Sequence, residues 1–224
     1  YGACVASNGV SFTINSHGAT RCTLLLFKPQ APKPYARIPF PDSYRIGDTY
    51  SMLVFDIKPD EFEYAFSFDG PYEPAKGLLF NEENVLLDPY SRAVTGQRKW
   101  GEKPEGGKDF EYRARVVKSS FDWGNIKQLE QPFEDLVIYE THVRGYTKDK
   151  SSGVSAPGTF AGLKDKIPYL KDLGINAVEL MPIFEFDEME SARVVDGVPL
   201  YNYWGYNTVS FFAPNTSYAF NEEH

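Results

Sequence analysis

Apolar and polar residues alternate along Val10-Ser11-Phe12-Thr13-Ile14-Asn15, the period-two signature of a half-buried strand. Arg21 to Phe27 reads as a second strand, ending at Pro29. Pro29, Pro32, Pro34, Pro39 and Pro41 then restrict the chain to loop or sheet edge, because proline cannot donate to a ladder. Ser51 to Ile57 predicts a third strand, with a turn at Pro59-Asp60. Phe62 to Phe68 alternates again and stops at Asp69-Gly70-Pro71. Phe62, Tyr64, Phe66 and Phe68 fall on one face, away from Glu63, Ala65 and Ser67. Four rings on one face read as core, with a sugar platform that includes Phe12 as the other reading. Short strands at this spacing predict a small, immunoglobulin-like β-sandwich over residues 1–88.

Residues 89–134 are irregular, broken by Gly101, Pro104, Gly106 and Gly107. They read as a connecting segment tied down by Trp100 and Trp123, with one more strand between Phe110 and Val117. At residue 135 the pattern changes. Leu136 to Tyr139 is a continuous apolar run, as expected of a parallel strand covered on both faces. After a loop containing Ser151-Ser152-Gly153 and Pro157-Gly158, the residues Phe160, Leu163, Ile167, Leu170 and Leu173 recur at helical spacing. Pro168 kinks that helix or begins a second one, and Gly174 stops it. Ile175 to Met181 is a second parallel-type strand. Strand, helix, strand makes one βαβ unit, too little to bury a sheet, so this domain is expected to be unfinished.

Hydrophobic residues make up 42% of the 224, enough for a real core. A formal charge of -8 without a basic cluster argues against nucleic acid and is compatible with a neutral polar substrate. No apolar run approaches the roughly 18 residues a membrane span requires. Cys4 and Cys22 read as reduced small hydrophobes, and no cysteine spacing points to a metal. The expected location is the cytoplasm. Aromatics reach 16%; flat rings suit sugar faces as well as cores.

Several segments, in order, carry a resemblance. Tyr139-Glu140-Thr141-His142-Val143-Arg144-Gly145-Tyr146-Thr147 resembles the first barrel strand of isoamylases and glycogen debranching enzymes. Gly174 through Phe186 is similar to their second strand. Tyr203-Trp204-Gly205-Tyr206-Asn207, with Phe211-Phe212-Ala213-Pro214 and Ser217-Tyr218-Ala219, resembles the loop that follows. Upstream, Phe68-Asp69-Gly70-Pro71-Tyr72 and Leu86-Leu87-Asp88-Pro89-Tyr90 resemble the end of the family's N-terminal module, similar to carbohydrate-binding module family 48, and the segment after it.

The resemblance implies glycoside hydrolase family 13 in the α-amylase superfamily, with a (β/α)8 TIM barrel and retaining hydrolysis by two carboxyl groups about 5–5.5 Å apart. In that family the catalytic carboxylates lie at the ends of strands four, five and seven. The chain supplies only strands one and two, so residues 135–224 are expected to be the start of an incomplete barrel. The chain is expected to be the front part of a debranching hydrolase, with no catalytic residue, no metal and no cofactor of its own. Its partner is an α-glucan such as glycogen, with neither nucleic acid nor membrane involved. Branching enzymes and pullulanase-type relatives are alternatives within the superfamily; a non-catalytic glucan-binding protein is the alternative outside it.

For substrate binding the resemblance singles out Tyr206, whose ring stacks against the sugar beside the cleaved bond in the family, flanked by Trp204 and Tyr203. Each has a plainer reading as loop packing, and Asn207 could orient the loop. His142 and Arg144 read as hydrogen-bonding residues that hold the barrel mouth. Glu140, Glu179, Glu185 and Asp187 read as structural, and Glu188, Glu190 and Asp196 as a solvated acidic loop without the regular ligand spacing of a calcium site.

Overall fold

The computed structural model describes residues 1–95, 100–102, 112–118, 121–127 and 129–220. It divides into two units: Tyr1–Gly96 with Lys103–Ser119 and Ser210–Ala213, and Gln97–Glu102 with Ser120–Val209 and Pro214–His224.

Antiparallel strands build the first unit: β1 (Gly2–Ala6), β2 (Gly9–Asn15), β3 (Arg21–Phe27), β4 (Ala36–Pro39), β5 (Arg45–Ile46), β6 (Thr49–Phe55), β7 (Glu63–Asp69), β8 (Tyr72–Glu73), β9 (Leu78–Leu79), β10 (Ala93–Val94) and β11 (Ala114–Arg115). One sheet runs β1-β2-β6-β5 and the other β10-β11-β7-β3-β4, while β8 and β9 pair as a separate ribbon. The alternation decides what goes inside. Val10, Phe12 and Ile14 of β2 and Tyr50 and Met52 of β6 meet Cys22, Leu24 and Leu26 of β3 and Tyr64, Phe66 and Phe68 of β7 in one core. The candidate rings are therefore buried in that core, where Phe12 and Tyr64 pack edge to face at 5.1 Å. The proline-rich stretch contributes β4, an edge strand that pairs with β3. The third strand starts two residues earlier than the pattern implies. Asp56 takes a left-handed φ of 57° and ends β6 before Ile57.

The outer face of β7 departs from the alternation, for Glu63, Ala65 and Ser67 are buried too. Leu86 exchanges both backbone hydrogen bonds with Phe66 at 2.8 and 2.9 Å, lengthening the sheet beside β11. Arg113, also buried, lies 3.8 Å over the Phe27 ring and 3.6 Å from Glu63. An arginine laid flat on an aromatic ring with a carboxylate beside it can be covered at little cost.

The second unit holds β12 (Ile138–Thr141), β13 (Ala177–Leu180), β14 (Phe184–Phe186), the hairpin of β15 (Arg193–Val195) and β16 (Val198–Leu200), and the ends of β17 (Thr208–Pro214). Its helices are α1 (Val143–Lys148), α2 (Phe160–Asp165) and α3 (Ile167–Asp172). β12 and β13 pair in parallel, Ile138 opposite Ala177 through Thr141 opposite Leu180. Asn176 sets this register at its start, accepting from Val137 N–H at 2.7 Å and donating to Asp135 O at 2.8 Å. Pro168 lies in the first turn of α3, so the single helical pattern resolves into two short helices that meet at Lys166.

Three expectations change here. The apolar run does form a parallel strand, but it is not covered on both faces; Ile138 is 51% exposed, and Tyr139, Val178 and Leu180 are exposed as well. Tyr146 meets the Tyr139 ring edge-on at 5.8 Å, and that contact still leaves all four side chains exposed. Trp123, 71% exposed, is no anchor, whereas Trp100 is half-buried. The strand expected from Phe110 reduces to Ala114–Arg115, Phe110 lying outside the described residues, as do Pro104, Gly106 and Gly107. Among the described residues no helix is long and apolar enough to cross a membrane.

Candidate functional site

The carboxyl end of β12 delivers His142, the N-cap of α1. Its Nδ1 accepts a hydrogen bond from Gly145 N–H at 3.0 Å, and its Nε2 lies 2.8 Å from the carbonyl of Tyr203. The Tyr203 ring stacks flat on the imidazole, centroids 4.2 Å apart at 12°. Gly145 makes that stack possible, because a Cβ there would collide with the Tyr203 hydroxyl. The chain therefore folds residues 201–207 back over the start of α1.

Trp204 packs edge-on to Tyr203 at 5.4 Å and to His142 at 6.2 Å, yet stays 52% exposed. Gly205 turns the chain with φ 78°, and its missing side chain leaves room for Phe186, 2.5 Å from where a Cβ would stand. Tyr206 follows, 70% exposed. Asn207 donates to Glu190, which ties the far side of the turn. The structure thus gathers Tyr203 and Trp204 around His142, with one face of Tyr203 taken up by the imidazole, and carries Tyr206 one residue past Gly205 toward solvent.

Beneath the loop sits a small aromatic core. Val143, Phe186 and Tyr218 are buried, with Trp100 packed against them. Trp100 stacks on Tyr218 at 14°, and the Arg144 guanidinium lies 4.6 Å over its ring. Burial holds the Arg144 pKa below its ordinary value. Glu185 and Glu188 are buried as well, and their charges bear on Tyr218 of that core. Glu188 is a correction to the solvated acidic loop. It is fully buried, accepting from Gly101 N–H at 2.8 Å, while Glu190 and Asp196 are exposed as expected. A carboxylate that satisfies a backbone donor can leave solvent. Glu185 accepts from Thr216 N–H at 2.8 Å, and burial pushes its pKa up to about 8. Burial pushes the Glu188 pKa up as well.

The sequence marks Trp100 as an anchor and puts Tyr218 in the segment resembling the family's loop, but gives neither a part in supporting the site. Trp100 lies in an irregular stretch, far from the loop in sequence, and only the fold brings it there. Glu140 and Glu179 stand opposite each other on β12 and β13, both exposed. Two adjacent carboxylates on one strand pair do not flank a bond, so they make no acid–nucleophile pair. Among the described residues no group of three or more His, Cys, Asp or Glu side chains is placed to hold a metal ion.

Residues 1–91 match the model of carbohydrate-binding module 48, the isoamylase N-terminal domain. Over 97% of its length the chain is 37% identical to isoamylase 1, chloroplastic, of Oryza sativa subsp. japonica, and covers 28% of that protein. It is 35% identical over 96% of its length to the glycogen debranching enzyme of Yersinia enterocolitica, covering 33% of it. Among solved structures, the apo pullulanase of Paenibacillus barengoltzii superposes with a TM-score of 0.74 at 21% identity, over 97% of this chain and 32% of that one. The chain therefore spans about a third or less of the length of these relatives.

Proposed function

Residues 1–91 are an isoamylase N-terminal domain of carbohydrate-binding module 48, in a chain homologous with isoamylases and glycogen debranching enzymes, and on that premise we propose that it is the front part of an α-glucan debranching hydrolase. In this reading residues 1–88 form most of the binding-module sandwich, 89–134 connect while lending β10 and β11 to its sheet, and 135–224 begin a (β/α)8 catalytic barrel with β12 and β13 as its first two strands. Barrel enzymes place their chemistry on the loops at the carboxyl ends of the strands. The observation that carries the reading is the loop of residues 201–207. It is held against His142 at such an end, and it exposes the Trp204 and Tyr206 rings.

Tyr206 is the residue we assign to the sugar, with Trp204 beside it and Tyr203 as the support that its stack on His142 makes it. An aromatic face covers the C–H face of a glucose while a rim hydroxyl or indole N–H remains free to hydrogen-bond. No residue of this chain is assigned a catalytic role. Its own contribution is binding and positioning, and the location we propose is the cytoplasm, in keeping with the free thiols of Cys4 and Cys22.

Two experiments test this. Incubated alone with glycogen, the chain releases no reducing ends above a buffer control; release at stoichiometric protein would overturn the assignment. In an enzyme that joins these residues to the rest of the barrel, Tyr206→Ala lowers kcat/KM on branched glucan about tenfold to a hundredfold, and Tyr206→Phe lowers it less. The thermal midpoint barely moves, because the ring is exposed. Unchanged kcat/KM for Tyr206→Ala would remove it from the site.

A further inference from the structure

Two bonds to the His142 ring fix where its proton is. Gly145 N–H can only donate, so Nδ1 must be an unprotonated acceptor. The Tyr203 carbonyl can only accept, so Nε2 must carry hydrogen. Both demands are met by one species, the neutral Nε2–H tautomer. The Tyr218 hydroxyl, 3.3 Å from Nε2, fits the same assignment as a second acceptor. We propose that His142 is the positioning residue of this site: as a neutral imidazole it bridges the start of α1 to the Tyr203 carbonyl and holds the turn that presents Trp204 and Tyr206. This rests on the reading of residues 201–207 as the sugar-contacting loop.

The surroundings favour the neutral ring. Burial and the nearby Arg144 charge hold the His142 pKa below its ordinary value, outweighing the bond to Tyr203, which acts the other way. Arg144 comes from α1, Tyr203 from the loop and Tyr218 from the segment after β17, while the Glu188 charge bears on Arg144. Should the ring charge, Nδ1 becomes a donor facing the Gly145 donor, and the bridge loses its anchor. The bridge is intact above the ordinary histidine range and opens as pH falls through the lowered pKa.

The test uses the whole chain and no sugar, so it fails or succeeds separately from the glucan reading. Side-chain nitrogen NMR at neutral pH is expected to show His142 as the Nε2–H tautomer; the Nδ1–H tautomer or a charged ring overturns the proposal. His142→Asn keeps an acceptor for Gly145 but cannot reach Tyr203. Amide exchange across 201–207 is expected to rise about tenfold, the scale of one neutral hydrogen bond, with β2, β3 and β7 unchanged. His142→Gln, which extends a donor toward Tyr203, is expected to recover part of the protection. Wild-type exchange in His142→Asn overturns the proposal. If that variant fails to fold, an acid titration of the unaltered chain decides: loop protection is expected to fall with the His142 titration, and protection that survives a charged His142 overturns it.

Discussion

In the sandwich, the alternating apolar positions of β2, β3 and β7 meet in one core, whereas in the second unit those of β12 and β13 stay exposed. Both regions have strand-forming sequences and both make the ladders those sequences call for. They differ in what covers the ladder. Nine strands in two sheets give the sandwich an inside. The parallel pair has helices but only a small aromatic core around Phe186 and Tyr218. An apolar strand pattern therefore states that a face needs cover, not that the cover lies within the same stretch of chain. In the proposed reading the missing cover is the rest of the barrel.

Truncating one side chain in each region is expected to give the largest difference between them. Phe66 is fully buried among Phe40, Tyr64 and Phe68, and Phe66→Ala is expected to cost about 3–5 kcal/mol of sandwich stability. Val178→Ala in β13 removes an exposed side chain and is expected to cost less than about 1 kcal/mol. Urea unfolding followed region by region by amide exchange reads both. Comparable losses would mean that the second unit has a core as closed as the first.

Gly205→Ala sharpens the picture inside the second unit. A left-handed φ and a Cβ 2.5 Å from the Phe186 ring should together cost about 1–3 kcal/mol there and leave the sandwich midpoint unmoved.

The smallest effect is graded with pH. Burial raises the Glu185 pKa from its ordinary 4.5 to about 8, so the folded state holds the proton more tightly than the unfolded chain does. The stability this contributes is complete below about pH 4.5 and is lost as pH rises through about 8. Amide exchange in residues 183–189 and 215–218 is expected to quicken across that window, after correction for intrinsic rates. Glu185→Gln, which keeps an acceptor for Thr216 N–H, is expected to flatten the dependence.

What the sequence made legible follows the same division. β2, β3 and β7 could be read to within a residue or two, because a strand with one buried face writes its period directly into the chain. β1 escaped: its burial pattern is mixed and Cys4 and Val5 face solvent. The buried outer face of β7 depends on Leu86 and Arg113, some 20 to 50 residues downstream, which no local pattern reports. Helix α1 has six residues, one of them Gly145, too few to establish a period. The hairpin of β15 and β16 carries a local signal, the Asp196-Gly197 pair, both at positive φ, inside a stretch whose acidity by itself suggests a solvated loop. At the site, Tyr206, Trp204 and Tyr203 came from resemblance. Tyr203's role beneath the loop, and the support from Trp100 and Tyr218, required coordinates, because stacking partners so far apart in sequence leave no spacing to read.

The close approach of Gly145 to the Tyr203 hydroxyl has an evolutionary consequence. Any side chain at 145 must displace a ring that lies 58 positions later, so position 145 cannot gain a side chain while the Tyr203 ring stays where it is. A lineage that acquires alanine or serine at 145 should carry a shorter residue at 203. One that keeps a tyrosine at 203 should be unable to leave glycine at 145. The two positions are expected to covary across descendants of this fold even where the surrounding loop diverges.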